Sequence, residues 1–221
     1  MATPLHSPLR APPFVRLLVR LAQFDAPSPG PALSDRLSRW TDWNRAVALS
    51  RALDGTPPTP DPVPSAPDDT ERAACARARL RLSQAIDADE LPDASSDYGP
   101  YHQRYLSLQR AMLTATGRLR GSLRDALARQ SSDMARLAEV DAVMERVLSP
   151  REQTLLASVP VLLGQHFLYL RQIEQGAWFD TFRRDMRILL LSELEFRFQP
   201  LDGLLAALRA QPQGCHVQKY A

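Results

Sequence analysis

Residues 101–148, YHQRYLSLQRAMLTATGRLRGSLRDALARQSSDMARLAEVDAVMERVL, decide the fold. Apolar side chains step through Tyr101, Tyr105, Leu108, Met112, Ala115, Leu119, Leu123 and Ala126, then Met134, Leu137, Met144 and Leu148. The steps alternate mostly between three and four residues, the spacing of one helix face. Gln130 and Asp141 fill the polar gaps in that row. An unbroken helix over this stretch would run about 72 Å at 1.5 Å per residue. Gly117, Gly121 and the pair Ser131–Ser132 are the places where it can bend or break. The periodicity predicts one long helix with a possible kink, rather than two independent ones.

On the C-terminal side, Ser149-Pro150-Arg151-Glu152 carries the residues of a capping box with proline at the first helical position. It predicts a helix over 150–175, antiparallel to the long one and kinked by the internal Pro160. The segment 177–198 is the most apolar in the chain, from Trp178, Phe179 and Phe182 to Leu194, Phe196 and Phe198, and belongs at the centre of the core. Its LEFRFQ alternates like a strand, yet no partner strand exists elsewhere, so it is read as helix. Pro200 is read as the start of a last short helix, and 212–221 as a flexible tail. The class is all-α: a helical bundle built on 101–148 packed against 150–175 and 177–198.

On the N-terminal side, DASSDYGP (93–100) has turn chemistry and 69–91 reads as an Ala- and Arg-rich helix. Of 19 prolines, seven fall within 1–31 and six within 57–67. That makes 55–69 an extended Pro-rich linker. A helix over about 34–54 has Ser34 as its cap, apolar Leu37, Trp40, Trp43, Val47 and Leu53, and Gly55 as its stop. A further helix over about 13–25 is amphipathic, with Phe14, Leu17, Leu18, Leu21 and Phe24 on one side and Arg16 and Arg20 on the other. The expected organisation is a helical segment 1–54, the linker 55–69, a main domain 70–211 and the tail.

Composition excludes several classes. With 27 basic against 25 acidic residues the net charge is +2, which supplies no global attraction to nucleic acid or an anionic membrane. Lys219 is the only lysine, a bias that looks like a GC-rich bacterial genome rather than a binding requirement. No apolar run is long enough to span a bilayer, and Arg16 and Arg20 interrupt the only candidate signal core, so the expected location is cytoplasmic. Cys75 and Cys215 form neither a disulfide framework nor a metal site. His6, His102, His166 and His216 lie in no ligand motif, and His166 on its apolar face reads as a hydrogen-bonded structural histidine. Glu193 and Glu195 suggest paired carboxylates, but two residues apart on a helix they point about 200° from one another. An ion pair from Glu193 to Arg197, with Asp180–Arg184 as a second, accounts for them better. Nucleophile elbows and phosphate-binding loops are absent from the sequence. No catalytic residue, metal or cofactor is expected.

Charge is uneven within the chain. Residues 101–129 hold Arg104, Arg110, Arg118, Arg120, Arg124 and Arg129 against Asp125 alone. Residues 71–82 add Arg72, Arg77, Arg79 and Arg81 against Glu71. The candidate partner surface is the Arg-bearing face of the long helix and its aromatic start: Tyr98, Tyr101, Arg104, Tyr105, Arg110, Arg118, Arg120 and Arg124. Arg and Tyr are common interface anchors. The expected function is a non-enzymatic helical interaction or adaptor protein, binding another protein or itself. The alternative is a nucleic-acid-associated protein using the Arg-rich helix 101–129. Peripheral membrane contact through residues 14–24 is a further option.

Three blocks, SDRLSRWTDWNRAVALSRALDG (34–55), SDYGPYHQRYLSLQRAMLTATGRLRGSLRDAL (96–127) and LLLSELEFRFQPLDGLLAALRAQ (189–211), resemble an uncharacterised all-helical proteobacterial family, a domain of unknown function. The resemblance spans roughly residues 14–211 and carries over no catalytic or binding residue. Members are encoded near inner-membrane proteins similar to proton-channel stators and near OmpA-like peptidoglycan binders. The resemblance therefore implies a cytoplasmic accessory of a bacterial envelope complex.

Overall fold

A computed structural model describes residues 43–55, 69–88, 97–173 and 178–210. The helix expected at 13–25 with its membrane-facing option, the first turns of the 34–54 helix, most of the linker and the tail lie outside them. The described residues form α1 (Trp43–Asp54), α2 (Asp69–Asp87), α3 (Gly99–Ala128), α4 (Ser132–Ala157), α5 (Val159–Ile173) and α6 (Trp178–Arg209), with no strand among them. The protein is an all-α bundle. Helices α3 and α6 form its spine, α2 covers one side, α4 and α5 the other, and α1 rests on α4. Fully buried Tyr101, Tyr105, Met112, Phe167, Phe182, Leu189, Leu194 and Phe198 fill the centre. A smaller satellite of Ala52, Val143 and Val147 joins α1 to α4.

The stretch 101–148 is helical on both sides of a break. Gly117 and Gly121 pass within α3, and the chain turns at Arg129–Ser131. Ser131 is extended (φ −159°, ψ 165°) and its hydroxyl accepts the Met134 amide at 3.3 Å. A serine that caps a new helix stops the old one, because both ends need partners for backbone groups the helix itself leaves open. Helix α4 then returns antiparallel to α3. Arg124 meets Asp141 near the turn, Arg120 meets Glu145 further away, and Gln109 reaches the Leu156 carbonyl furthest of all. The break also resets the phase of the apolar row. Leu137 and Leu148 are exposed, while Ala138, Val143 and Val147 are buried in their place.

Two prolines exchange their expected roles. Pro150 lies inside α4, which is already running from Ser132, so the capping residues around it start nothing. The helix ends instead at Ser158, whose amide and hydroxyl both donate to the Leu155 carbonyl. Pro160 thus falls in the first turn of α5, where its missing amide costs no hydrogen bond. Pro200 likewise starts no helix. Helix α6 continues through it for 32 residues, about 48 Å, held by Phe198 and Leu201 buried on either side. The LEFRFQ segment is helical within it.

Candidate functional site

The polar centre of the bundle is Glu193. It has no solvent exposure, and its carboxylate accepts from Tyr105 Oη at 2.9 Å, Gln109 Nε2 at 3.0 Å and Arg197 Nη2 at 2.8 Å. Gln109 also donates to the Leu156 carbonyl at 3.1 Å, and Arg197 Nη1 reaches Glu152 at 3.3 Å. The network ties α3, α4 and α6 in one register, each member satisfying a group that burial would otherwise strand. The pair expected between Glu193 and Arg197 is formed, and Glu195 points away to solvent, 3.9 Å from Arg79. The pair expected between Asp180 and Arg184 is not; Arg184 lies 3.6 Å from Asp185 on its own helix. Burial, and then the Glu193 charge, push the Tyr105 phenol well above its ordinary range.

Most of the residues expected on the partner surface serve the fold. Tyr101 and Tyr105 have 0% exposure. Tyr101 packs among Phe167, Phe179 and Phe182, because both tyrosines share the apolar stripe with Leu108 and Met112. Tyr98 is half-buried beside Phe167 and donates to the Pro160 carbonyl at 2.5 Å; burial raises its phenol's pKa. Its ring lies so close to α5 that a Cβ on Gly164 would sit 2.9 Å from Cε1. Arg104 donates to the Ala85 carbonyl at 2.6 Å, satisfying one of the last open carbonyls of α2. Arg120 forks onto Asp141 at 2.7 and 2.8 Å, and Arg124 pairs with Asp141 and Glu145. These two arginines pin the α3–α4 hairpin and are not open to a partner.

Arg110 and Arg118 remain on the surface, and among the described residues no carboxylate pairs with them. Helix α2 brings Arg77 and Arg81 opposite them, equally exposed and equally without an ion pair. The helices are antiparallel: Arg104 early in α3 meets the end of α2, and Arg118 shares a groove with Ala74 near its start. The groove between them, about 630 Å³, has Ala74, Ala78, Ala111 and Ala115 in its lining and no acidic side chain among the described residues that line it. Arg77 and Arg81 were visible in the sequence as part of a basic segment. The cue that joins them to the site is their i, i+4 spacing, which puts both on one face of α2.

Elsewhere, His166 Nε2 lies 2.9 Å from Asp185, hydrogen-bonded between α5 and α6 as its apolar setting suggests. Cys75 is buried in the core, and that burial raises its thiol's pKa. Cys215, His6 and His216 lie outside the described residues. Among the described residues no cluster of His, Cys, Asp and Glu is placed to hold a metal ion, and no helix is long and apolar enough to cross a membrane.

Comparison with known proteins adds a family and no activity. No curated protein and no solved structure matches the chain. One family model does match, over residues 1–210, and its description is "Protein of unknown function (DUF3348)". The helical chain described above therefore belongs to the DUF3348 family.

Proposed function

We propose that this protein is a non-enzymatic helical interaction protein whose partner surface is the basic face shared by α2 and α3. The observation that carries the reading is the division of labour among the arginines. Arg104, Arg120, Arg124 and Arg197 are consumed by carbonyls and carboxylates of the bundle. Arg77, Arg81, Arg110 and Arg118 converge on one groove with no carboxylate among the described residues that line it. A like-charged cluster that no described carboxylate neutralises lowers its own repulsion when an anionic partner arrives. The non-enzymatic reading is supported by Glu193, the carboxylate best placed by burial for acid–base work, which is fully saturated and closed to a substrate. The resemblance adds the setting, a cytoplasmic accessory of an envelope complex.

The test is purification of the full-length protein from nuclease-treated and untreated extracts of its native host. A protein that co-elutes stoichiometrically in both arms, and that is lost from Arg110→Glu/Arg118→Glu, supports the reading. Nucleic acid in the untreated arm alone supports the nucleic-acid alternative instead. A partner retained equally by the variant removes the α2–α3 face from the account.

A further inference from the structure

Resting on that reading, we infer that the α2–α3 groove receives an acidic amphipathic helix of a partner protein, its carboxylates on the arginine rims and its apolar stripe on the alanine floor. Charge complementarity sets the first half of the argument. Arg77 and Arg81 stand on one rim, Arg110 and Arg118 on the other, and the described residues of the lining include no carboxylate. Four and eight residues of helix place the guanidinium-bearing positions about 6 and about 12 Å apart along their axes. Those are the rises between carboxylates one and two turns apart on a straight helix, so a row of Glu or Asp at four-residue spacing on each flank of the apolar stripe keeps register with the rim it faces.

The floor sets the second half. Ala74 and Ala78 on α2 face Ala111 and Ala115 on α3, with Leu119 at one end. Small side chains in facing rows let a third helix approach to the 8–10 Å axis separation of ordinary helix packing. A phosphate backbone would meet the rims and leave the apolar floor unused. Single-stranded nucleic acid is usually held instead by aromatic platforms on which bases stack, and no aromatic residue is among the described residues that line this groove. An amphipathic acidic helix uses both features at once, in the manner of helix-in-groove recognition.

The experiment measures fluorescence anisotropy of a labelled synthetic peptide of about 18 residues, long enough to hold helical structure. It carries a row of Glu at four-residue spacing on each side of an Ala/Leu stripe. The full-length protein is titrated against this peptide, a scrambled peptide of the same composition, and an oligo-dT single strand. The expected result is binding to the patterned peptide at least about tenfold tighter than to the scrambled peptide or the oligonucleotide. Either Arg77→Glu/Arg81→Glu or Arg110→Glu/Arg118→Glu should weaken it by roughly tenfold, as loss of two exposed rim pairs together with reversal of both charges implies, with unchanged far-UV CD. The neutral Arg77→Gln/Arg118→Gln variant should weaken it less. Equal affinity for the two peptides overturns the proposal, because charge alone then suffices. Tighter oligonucleotide binding overturns it in favour of phosphate, and absence of peptide binding overturns it outright. If a native partner is lost from Arg110→Glu/Arg118→Glu while the patterned peptide fails to bind, the helical occupant is wrong and the interaction reading stands. If the native partner is also retained by that variant, both fall.

Discussion

Replacing Arg197 by methionine removes the cation from the most deeply buried ion pair among the described residues while keeping most of the side chain's volume. Glu193 is fully buried, and the Arg197 side chain is only 6% exposed. Solvent screening therefore offers no discount, unlike the exposed Arg187–Asp87 pair on the surface of α6 and α2. The variant leaves the Glu193 carboxylate with Tyr105 and Gln109 as its donors. Stranding one partner of a buried pair costs about 3–5 kcal/mol, a large part of the roughly 5–15 kcal/mol that stabilises a domain. Urea unfolding followed by far-UV CD should show the midpoint falling accordingly with the m-value unchanged. Arg197→Lys should recover only part of the loss, because an ammonium lacks the fork that spans Glu193 and Glu152. Arg187→Met should barely move the midpoint. A loss below about 1 kcal/mol for Arg197→Met would refute the reasoning, since it is the size expected of an exposed pair.

Three further outcomes follow from the same geometry. Arg120→Met should cost about 2 kcal/mol in urea unfolding, because its forked bonds to Asp141 hold the α3–α4 hairpin where both side chains are only 14% exposed; no effect would place the hairpin's stability elsewhere. Gly164→Ala should destabilise by about 1 kcal/mol despite alanine's better helix propensity, because its Cβ meets the Tyr98 ring at 2.9 Å and Phe167 and Phe182 flank that ring; a stabilised variant would contradict this. The folded chain keeps the Tyr98 and Tyr105 phenols above their ordinary value of 10. Stability should therefore be complete below about pH 10 and fall as pH rises beyond it, since the unfolded chain loses these protons first. In a Tyr169→Phe/Tyr220→Phe background, which removes the exposed Tyr169 and the tail tyrosine from the signal, phenolate absorbance should appear together with loss of helical CD, whereas ionisation near pH 10 within an intact fold would contradict the burial.

The helical class was legible because a period near 3.6 persists through every long segment, and α6 follows it even across Pro200. Helix ends were less legible because local signals compete there with packing. The residues around Ser149 make a sound cap in isolation, yet α4 is already running from Ser132, anchored to α3 by Asp141 and Glu145. Ser131 was among the candidate break points. What decides for it is long-range: the Arg120/Arg124 pair on α3 matches the Asp141/Glu145 pair on α4 only if the chain folds back between them. That complementarity, two i, i+4 pairs of opposite sign on either side of a turn, is present in the sequence and predicts a hairpin. Tyr101 and Tyr105 were also legible as core, since they occupy the same stripe as Leu108 and Met112. Reading them as interface anchors weighed residue type over position. The groove itself was not legible, because it needs the lateral pairing of α2 with α3, which no local pattern encodes.

The central claim is that the basic α2–α3 face is where this protein meets its partner. The most direct measurement is the stoichiometry of the protein co-purifying from nuclease-treated native extract with the wild type and with Arg77→Glu/Arg81→Glu/Arg110→Glu/Arg118→Glu, at matched helical CD. The account predicts a stoichiometric partner with the wild type and its loss from the variant. Equal recovery from both would contradict it.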